Sequence, residues 1–235
     1  LLAEFNAESP HHVLEIGPGK GALTDHLASR VRQLDLVEID SDLCAGLRKK
    51  YQDYANINVH CADILTFDLR SIHKSDNLRV LGNIPYNITT PILFYLISHY
   101  DIIHDIQLVL QKEVADRILA VPGSKTYGRL SIFIQLVSHI EHLLTIPPDA
   151  FYPKPKVFST AIRIKPKLME TIPKFNQLKL QTLLRAAFSQ RRKTLRNSLK
   201  NMIDTHTLEA LGIDPQNRPE NLRPEVFALL STYID

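Results

Sequence analysis

The spacing of apolar residues changes character along these 235 residues. Through the first two thirds, short β-rich runs alternate with stretches of helical period. Val13–Ile16 is apolar and ends at a glycine turn. Gly21–Arg30 then reads as a helix, with Leu23 and Leu27 four apart. Leu34–Ile39 is the next strand, and Asp42–Tyr54 an amphipathic helix with Leu43 and Leu47 inside and Arg48, Lys49 and Lys50 outside. Ile57–Cys61 and Arg79–Gly82 are the third and fourth strands. A helix over Pro91–His99 carries Pro91 in its first turn. Ile106–Leu110 is a fifth strand, and Glu113–Ala120 and Arg129–His139 are helices. Ile140–Ile146 and Val157–Ile164 are two last strands around a proline-rich loop. Strict β/α alternation predicts parallel pairing with right-handed crossovers, hence an α/β, doubly wound sheet covered on both faces. The last two strands lack a long connecting helix, so antiparallel pairing at one edge is expected.

After Pro166 the strands stop. Leu180, Leu183, Leu184, Ala187 and Phe188 follow helical spacing, as do Leu195, Leu199, Met202 and Ile203. Leu208–Leu211 and Pro224–Tyr233 are shorter helices, separated by Gly212, Pro215 and Pro219. This predicts a small helical domain over 168–235 behind a sheet domain over 1–167, with the linker near Lys165–Pro173.

Composition adds one asymmetry. The hydrophobic content of 44% and charged content of 23% are ordinary for a globular chain. The net charge of +3 is unevenly spread: between Arg163 and Lys200 stand 11 Lys or Arg and one acid, Glu170, a local +10 that leaves 3 − 10 = −7 elsewhere. Such a split points to a basic arm for a polyanion on a more neutral or acidic body, against the alternative of a solvated helical face. No apolar run is long enough to span a bilayer. The start, Leu1-Leu2-Ala3-Glu4, has no Met and no basic-then-apolar signal pattern, and reads as trimmed. Cys44 and Cys61 have neither a CxxC partner nor a histidine at ligand spacing. They are expected to be reduced, buried thiols of a cytoplasmic protein, with no metal site.

Three acids and a glycine turn mark a ligand cleft. Glu15-Ile16-Gly17-Pro18-Gly19-Lys20-Gly21 ends the first strand and opens the first helix, where glycines allow close backbone approach and helix N–H groups are free. Its G-x-G-x-G spacing is not the G-x-G-x-x-G of a dinucleotide site. Glu38, at the tip of the second strand, is placed for a ribose diol. Asp40 is placed to cap the next helix. Asp63, after the third strand, can hold an exocyclic adenine amine. Together they outline a nucleoside-sized cleft at the carboxyl ends of successive strands. This combination resembles the S-adenosylmethionine-dependent methyltransferases. The resemblance implies that Gly17 and Gly19 face the methionine moiety, Glu38 the ribose and Asp63 the adenine. An NAD-type dehydrogenase predicts another glycine spacing and does not account for the segment after strand four.

That strand runs into Gly82-Asn83-Ile84-Pro85-Tyr86-Asn87. Pro85 stiffens the chain and keeps Ile84 out of helix. Asn83 Oδ1 and a nearby carbonyl can accept hydrogen bonds from an adenine N6 amine, while Tyr86 stacks on the base. Two such acceptors favour pyramidal nitrogen and restore lone-pair character, so proximity and electrostatics carry the reaction without a strong base. A second clamp is Pro147–Val157. Phe151 either stacks on the other face of a flipped base or packs under its loop, and Lys154 and Lys156 are placed for phosphates.

Further motifs stand in order: Asn-Ile-Pro-Tyr-Asn-Ile-Thr-Thr-Pro from Asn83, Leu-Gln-Lys-Glu-Val from Leu110, Tyr-Gly-Arg-Leu-Ser from Tyr127, Phe-Tyr-Pro-Lys-Pro-Lys-Val from Phe151, and Phe-Ser-Gln-Arg-Arg-Lys-Thr-Leu-Arg-Asn from Phe188. With them the chain resembles the bacterial KsgA-type ribosomal RNA adenine dimethyltransferases over residues 13–235. The resemblance implies a seven-stranded Rossmann-like methyltransferase sheet. It implies N6 dimethylation of two adjacent adenosines in a hairpin near the 3′ end of small-subunit rRNA, within a 30S assembly intermediate. A cytoplasmic monomer without membrane contact is expected. Arg191, Arg192, Lys193 and Arg196 would be the core of its RNA grip. The family's Gln-x-Phe-Leu segment, which closes over the cofactor, has no counterpart before His11. A non-catalytic RNA-binding factor on the same fold is the rival reading; the intact set of Gly17, Glu38, Asp63 and Asn83 speaks against it.

Overall fold

The computed structural model describes residue 5 and residues 11–73, 77–84, 88–151, 154–190 and 192–234. The chain divides into two compact units. One comprises residues 1–115 with 139–166, and the other residues 116–138 with 167–235.

The first unit is a seven-stranded sheet. Its strands are β1 His12–Ile16, β2 Gln33–Glu38, β3 Ile57–Cys61, β4 Leu78–Asn83, β5 Ile103–Gln111, β6 Ser138–Ile146 and β7 Ser159–Pro166, in the order β3-β2-β1-β4-β5-β7-β6. The pairs β2–β3, β1–β2, β1–β4 and β4–β5 are parallel, as the alternation predicts. β7 enters antiparallel to β5, and β6 lies outside it at the edge. The strand order reverses between β1 and β4, where open sheets of this kind form a ligand crevice.

Pleating sends alternate residues to opposite faces. Val13, Leu34, Leu36 and Leu81 pack with Leu27, Val31, Leu47, Tyr51 and Phe5 into one buried cluster. Helix α1 is only Thr24–Leu27, shorter at both ends than the spacing predicts, because Gly21–Leu23 and Ala28–Arg30 close as turns. Helix α2, Ser41–Lys50, is capped as expected: Asp40 Oδ1 accepts from Asp42 N at 2.9 Å and Leu43 N at 3.1 Å. Such a cap satisfies two otherwise orphaned donors. Its buried residues, Cys44 and Leu47, lie three apart, and Arg48–Lys50 close its last turn. Helix α3, Leu69–Ile72, has no counterpart among the predicted elements; α4, Thr89–Ile97, comes after β4.

Buried ion pairs occupy the amino-terminal half of the sheet. Asp35, on β2, meets His12 Nε2 and His60 Nε2, both at 2.6 Å. Burial pulls its carboxyl upward, but the hydrogen bonds from His12 and His60 win and hold it well below the ordinary carboxylate range. Arg79, on β4, forks onto both oxygens of Asp105 on β5 at 2.8 Å, and its guanidinium stacks 4.4 Å from the Phe5 ring.

The second unit contains α6 Arg129–Val137, α7 Gln177–Ala187, α8 Leu195–Ser198, α9 Thr205–Ala210 and α10 Pro224–Ser231; α5, Lys112–Leu119, runs into it from the first. α10 packs against both α6 and α7. Tyr127 Oη donates to Leu222 O at 2.8 Å inside the unit, and the Phe188 and Phe227 rings meet at 5.8 Å. The expected break near residue 167 is thus where the chain re-enters this unit. Residues 116–138, which the spacing places in the sheet domain, pack with the C-terminal helices instead, because the apolar side of α6 is buried against α10. Among the described residues no helix is long and apolar enough to cross a membrane.

Candidate active site

The glycine turn at the end of β1 is a cradle without side chains. Gly17, Gly19 and Gly21 have φ of +63°, +58° and +83°, a left-handed region open mainly to glycine. Space lies open in front of the first two: a Cβ at Gly17 or Gly19 would meet nothing within 4 Å. Their backbone is therefore free to approach a ligand closely. The turn is fastened from β2, since Gly17 N donates to Val37 O at 2.9 Å.

Glu38 does a second job that its position in the sequence does not announce. Its Oε2 accepts from Gly19 N at 3.1 Å, while Oε1 accepts from Ile39 N at 2.9 Å and Asp40 N at 3.1 Å. A buried carboxylate bound only by neutral N–H groups retains acceptor capacity for further donors. Asp63 comes after β3 and is half-buried; its Oδ1 is oriented by Leu65 N at 2.9 Å. Ala62 N donates to Glu38 O at 2.9 Å, which ties the two acids' segments together. Asn83 ends β4 in register with Val109 and is exposed, one residue beyond Gly82, which lies level with Ile16. Gly82 admits no side chain without pressure: a Cβ would meet Ile16 O at 3.1 Å and Leu108 Cδ2 at 3.3 Å. The fold thus brings Gly17, Gly19, Glu38, Asp63 and Asn83 to the carboxyl ends of β1 to β4, the side of the sheet where the strand order reverses. Glycine N–H groups beside successive carboxylates fit a nucleoside that carries a charged amino-acid tail. Pro85, Tyr86 and Arg191 lie outside the described residues.

Four residues assigned no role from sequence alone, Glu15, Thr24, Tyr51 and Lys50, also support the site. Glu15, the last residue but one of β1, is 2% exposed and accepts from Thr24 Oγ1 at 2.7 Å. Burial, against the Thr24 bond, pushes its carboxyl up to about 7. The one signal in the sequence is an acid inside an otherwise apolar strand. Beside α2, Tyr51 Oη lies 2.7 Å from Asp25 Oδ1 and 3.1 Å from Gly21 O, and Lys50 Nζ donates to Asp25 Oδ2 at 2.7 Å and to Lys20 O at 3.2 Å. These bonds staple the far side of the glycine turn; nothing local in the sequence ties residue 51 to residue 21.

Phe151 is half-buried in a short turn after β6, and Lys154 and Lys156 are exposed, with Lys154 paired to Asp149. Lys154 is therefore only partly free for a phosphate. In the second unit Arg192, Lys193 and Arg196 are exposed, as are Arg185 and Lys200. The basic window is smaller than a count suggests. Arg163 pairs with Glu141 at 3.1 Å, and the Lys167 and Lys179 ammonium groups donate to Gln135 O at 2.7 Å and Ile234 O at 2.6 Å. The thiols also depart from expectation: both are free, but only Cys44 is buried, whereas Cys61 is exposed at the end of β3.

Comparison with known proteins agrees with this geometry. The family model described as ribosomal RNA adenine dimethylase matches residues 1–235. Ribosomal RNA small subunit methyltransferase A of Pseudomonas putida is 44% identical over 235 residues, covering 100% of this chain and 88% of that protein. Its counterpart in Methylobacillus flagellatus is 45% identical over 223 residues, covering 94% and 86%. Among solved structures, a dimethyladenosine transferase from Plasmodium falciparum superposes with a TM-score of 0.83 at 28% identity, covering 97% of this chain and 91% of that one. The 23S rRNA methyltransferase ErmE gives 0.71 at 26%, covering 99% and 94%. The chain belongs to the ribosomal RNA adenine dimethylase family, and is an adenine dimethyltransferase of rRNA that uses S-adenosylmethionine as methyl donor.

Proposed function

We propose that this enzyme dimethylates N6 of two adjacent adenosines in a hairpin near the 3′ end of small-subunit rRNA, on a 30S assembly intermediate, as a cytoplasmic monomer. In this reading, Gly17 and Gly19 receive the methionine end of S-adenosylmethionine, Glu38 its ribose diol and Asp63 its adenine amine. The bound cofactor supplies an electrophilic sulfonium methyl and a neutral leaving group.

The rest is done by the chain. Asn83 Oδ1 accepts a hydrogen bond from the target N6 amine, with a carbonyl beside Pro85 as second acceptor, and orients the nitrogen lone pair for in-line attack. Tyr86 stacks on one face of the flipped base and Phe151 on the other. Lys154 and Lys156 hold flanking phosphates, and Arg191, Arg192, Lys193 and Arg196 grip the RNA backbone. The sheet unit, residues 1–115 with 139–166, carries the methyl-transfer machinery, and residues 168–235 of the helical unit carry the RNA grip.

The observation that carries the reading is the placement of Asn83 at the end of β4, in the strand array whose neighbouring tips bear Gly17, Glu38 and Asp63. The test is transfer of tritiated methyl to immature small subunits, with mapping of the modified bases. Two neighbouring dimethyladenosines are expected; no incorporation by the full-length protein overturns the reading.

A further inference from the structure

The two cysteines are 17 residues apart in sequence but meet around one carbonyl beside the candidate cofactor cleft. In the parallel pairing of β2 and β3, Cys61 is the register partner of Glu38. The Glu38 carbonyl accepts from Ala62 N at 2.9 Å, immediately after Cys61, and from Cys44 Sγ at 3.4 Å. Cys44, near the start of α2, is 1% exposed, and the carbonyl its thiol binds belongs to the strand neighbour of Cys61. Cys61 itself faces solvent. One thiol is open to reagents and the other is held behind it, which is the arrangement of an attacking and a resolving cysteine.

We propose that Cys61 and Cys44 form an oxidation site for hydrogen peroxide, which converts the pair to an intramolecular disulfide and weakens cofactor binding. The Cys61 thiolate attacks the peroxide O–O bond. An S–O bond forms, the distal oxygen leaves as hydroxide and takes up a proton as water, and Cys61 becomes a sulfenic acid. The Cys44 sulfur then attacks the Cys61 sulfur. The S–S bond forms, the S–O bond breaks, and the Cys44 proton leaves with that hydroxyl as a second water. Two thiols have lost two electrons and one peroxide has been reduced to two waters. The roles do not interchange. Burial first, and then the bond from Cys61, push the Cys44 thiol up to about 11, so it stays protonated and unreactive until a sulfenic acid is set against it.

The cross-link would tie the first turn of α2 to the end of β3. It would draw on the Glu38 carbonyl and on the Ala62–Asp63 step, the backbone that presents both candidate cofactor acids. This consequence rests on the cofactor roles proposed above for Glu38 and Asp63; the disulfide chemistry does not.

The full-length protein, reduced and then titrated with hydrogen peroxide, tests both. Alkylation and peptide mass spectrometry are expected to show both thiols lost together and a Cys44–Cys61 cross-linked peptide, restored by dithiothreitol. Cys44→Ser should stop at a sulfenic acid on Cys61, trapped by dimedone, and Cys61→Ser should leave Cys44 unmodified. Calorimetric titration with S-adenosylmethionine should then show roughly tenfold weaker binding by the oxidised than by the reduced wild type, with no peroxide effect on either variant. Oxidation of Cys61 to sulfinic acid, or cross-links between molecules, with no intramolecular peptide overturns the proposal. So does a disulfide that leaves affinity unchanged. Failure of the reduced protein to bind the cofactor would instead overturn the cofactor reading, and the mass spectra would still judge the oxidation site.

Discussion

The two ends of the sheet bury acids in opposite ways. Toward the amino-terminal half, Asp35 is closed between two histidines and Asp105 is forked by Arg79, so each charge is matched by a side chain. At the carboxyl ends Glu38 and Asp63 are met by backbone N–H groups, and Glu15 by a hydroxyl. A carboxylate with a counter-ion is complete and serves the fold. One held by neutral donors keeps spare acceptor positions and can serve a ligand. The sheet therefore separates stability from chemistry along its strands.

The largest effect expected on this division is at the chemistry end. Asn83→Ala should reduce methyl transfer on the order of a thousandfold, the scale for removing a positioned polar group, while cofactor affinity and unfolding midpoint stay near wild type. Equal loss of cofactor binding would make Asn83 a structural residue. Next comes Arg79→Ala, which strands the buried Asp105 charge and should cost about 3–5 kcal/mol in urea unfolding, with activity per folded molecule retained. A variant that unfolds normally but fails in catalysis would dissolve the division.

A smaller effect, with opposite signs at the two ends, is expected from pH. The folded Glu15 carboxyl titrates near 7 rather than 4.5, so in that window the native state binds more protons than the unfolded chain. Stability should fall as pH rises through it, by a ceiling of ~3 kcal/mol at pH 8, and Glu15→Gln should abolish this slope. Asp35 is depressed, so its contribution is present above the ordinary carboxylate value and is lost as pH falls below it; Asp35→Asn should flatten that acid limb. Unfolding midpoints at pH 3, 5 and 8 decide both, and parallel curves for wild type and variants would contradict the pairing described. The smallest effect is in the helical unit: Arg196→Ala should lower the slope of log affinity for RNA against log salt by about 1, with little change in transfer at saturating RNA. An unchanged slope would remove Arg196 from the RNA contacts.

Much of this is legible because it is local. A strand, a left-handed glycine turn and a capped helix are written in consecutive residues, so the first five strands and the positions of Gly17, Glu38, Asp63 and Asn83 can be placed from spacing. Partnerships between distant segments cannot. Residues 116–138 look like one more β/α step until α6 is seen against α10. Arg163, Lys167 and Lys179 look like free charge until their acceptors at residues 141, 135 and 234 are seen. α3 is a single turn, too short to show a period. Cys61 reads as a core residue because its strand alternates apolar residues, yet β3 is an edge strand and its last residue faces water.

The staple between α2 and the glycine turn has an evolutionary corollary. A methyl group at position 21 would collide with the Tyr51 hydroxyl, and the backbone there is left-handed as well. A compensating Tyr51→Phe exchange removes the hydroxyl but leaves ring carbons at 3.1 and 3.2 Å; the conformational cost, about 1–2 kcal/mol, remains, and Asp25 loses a donor. Two independent obstacles do not yield to one suppressor. Position 21 is therefore closed to stepwise drift, and a lineage that changes residue 51 gains no freedom at the glycine it guards.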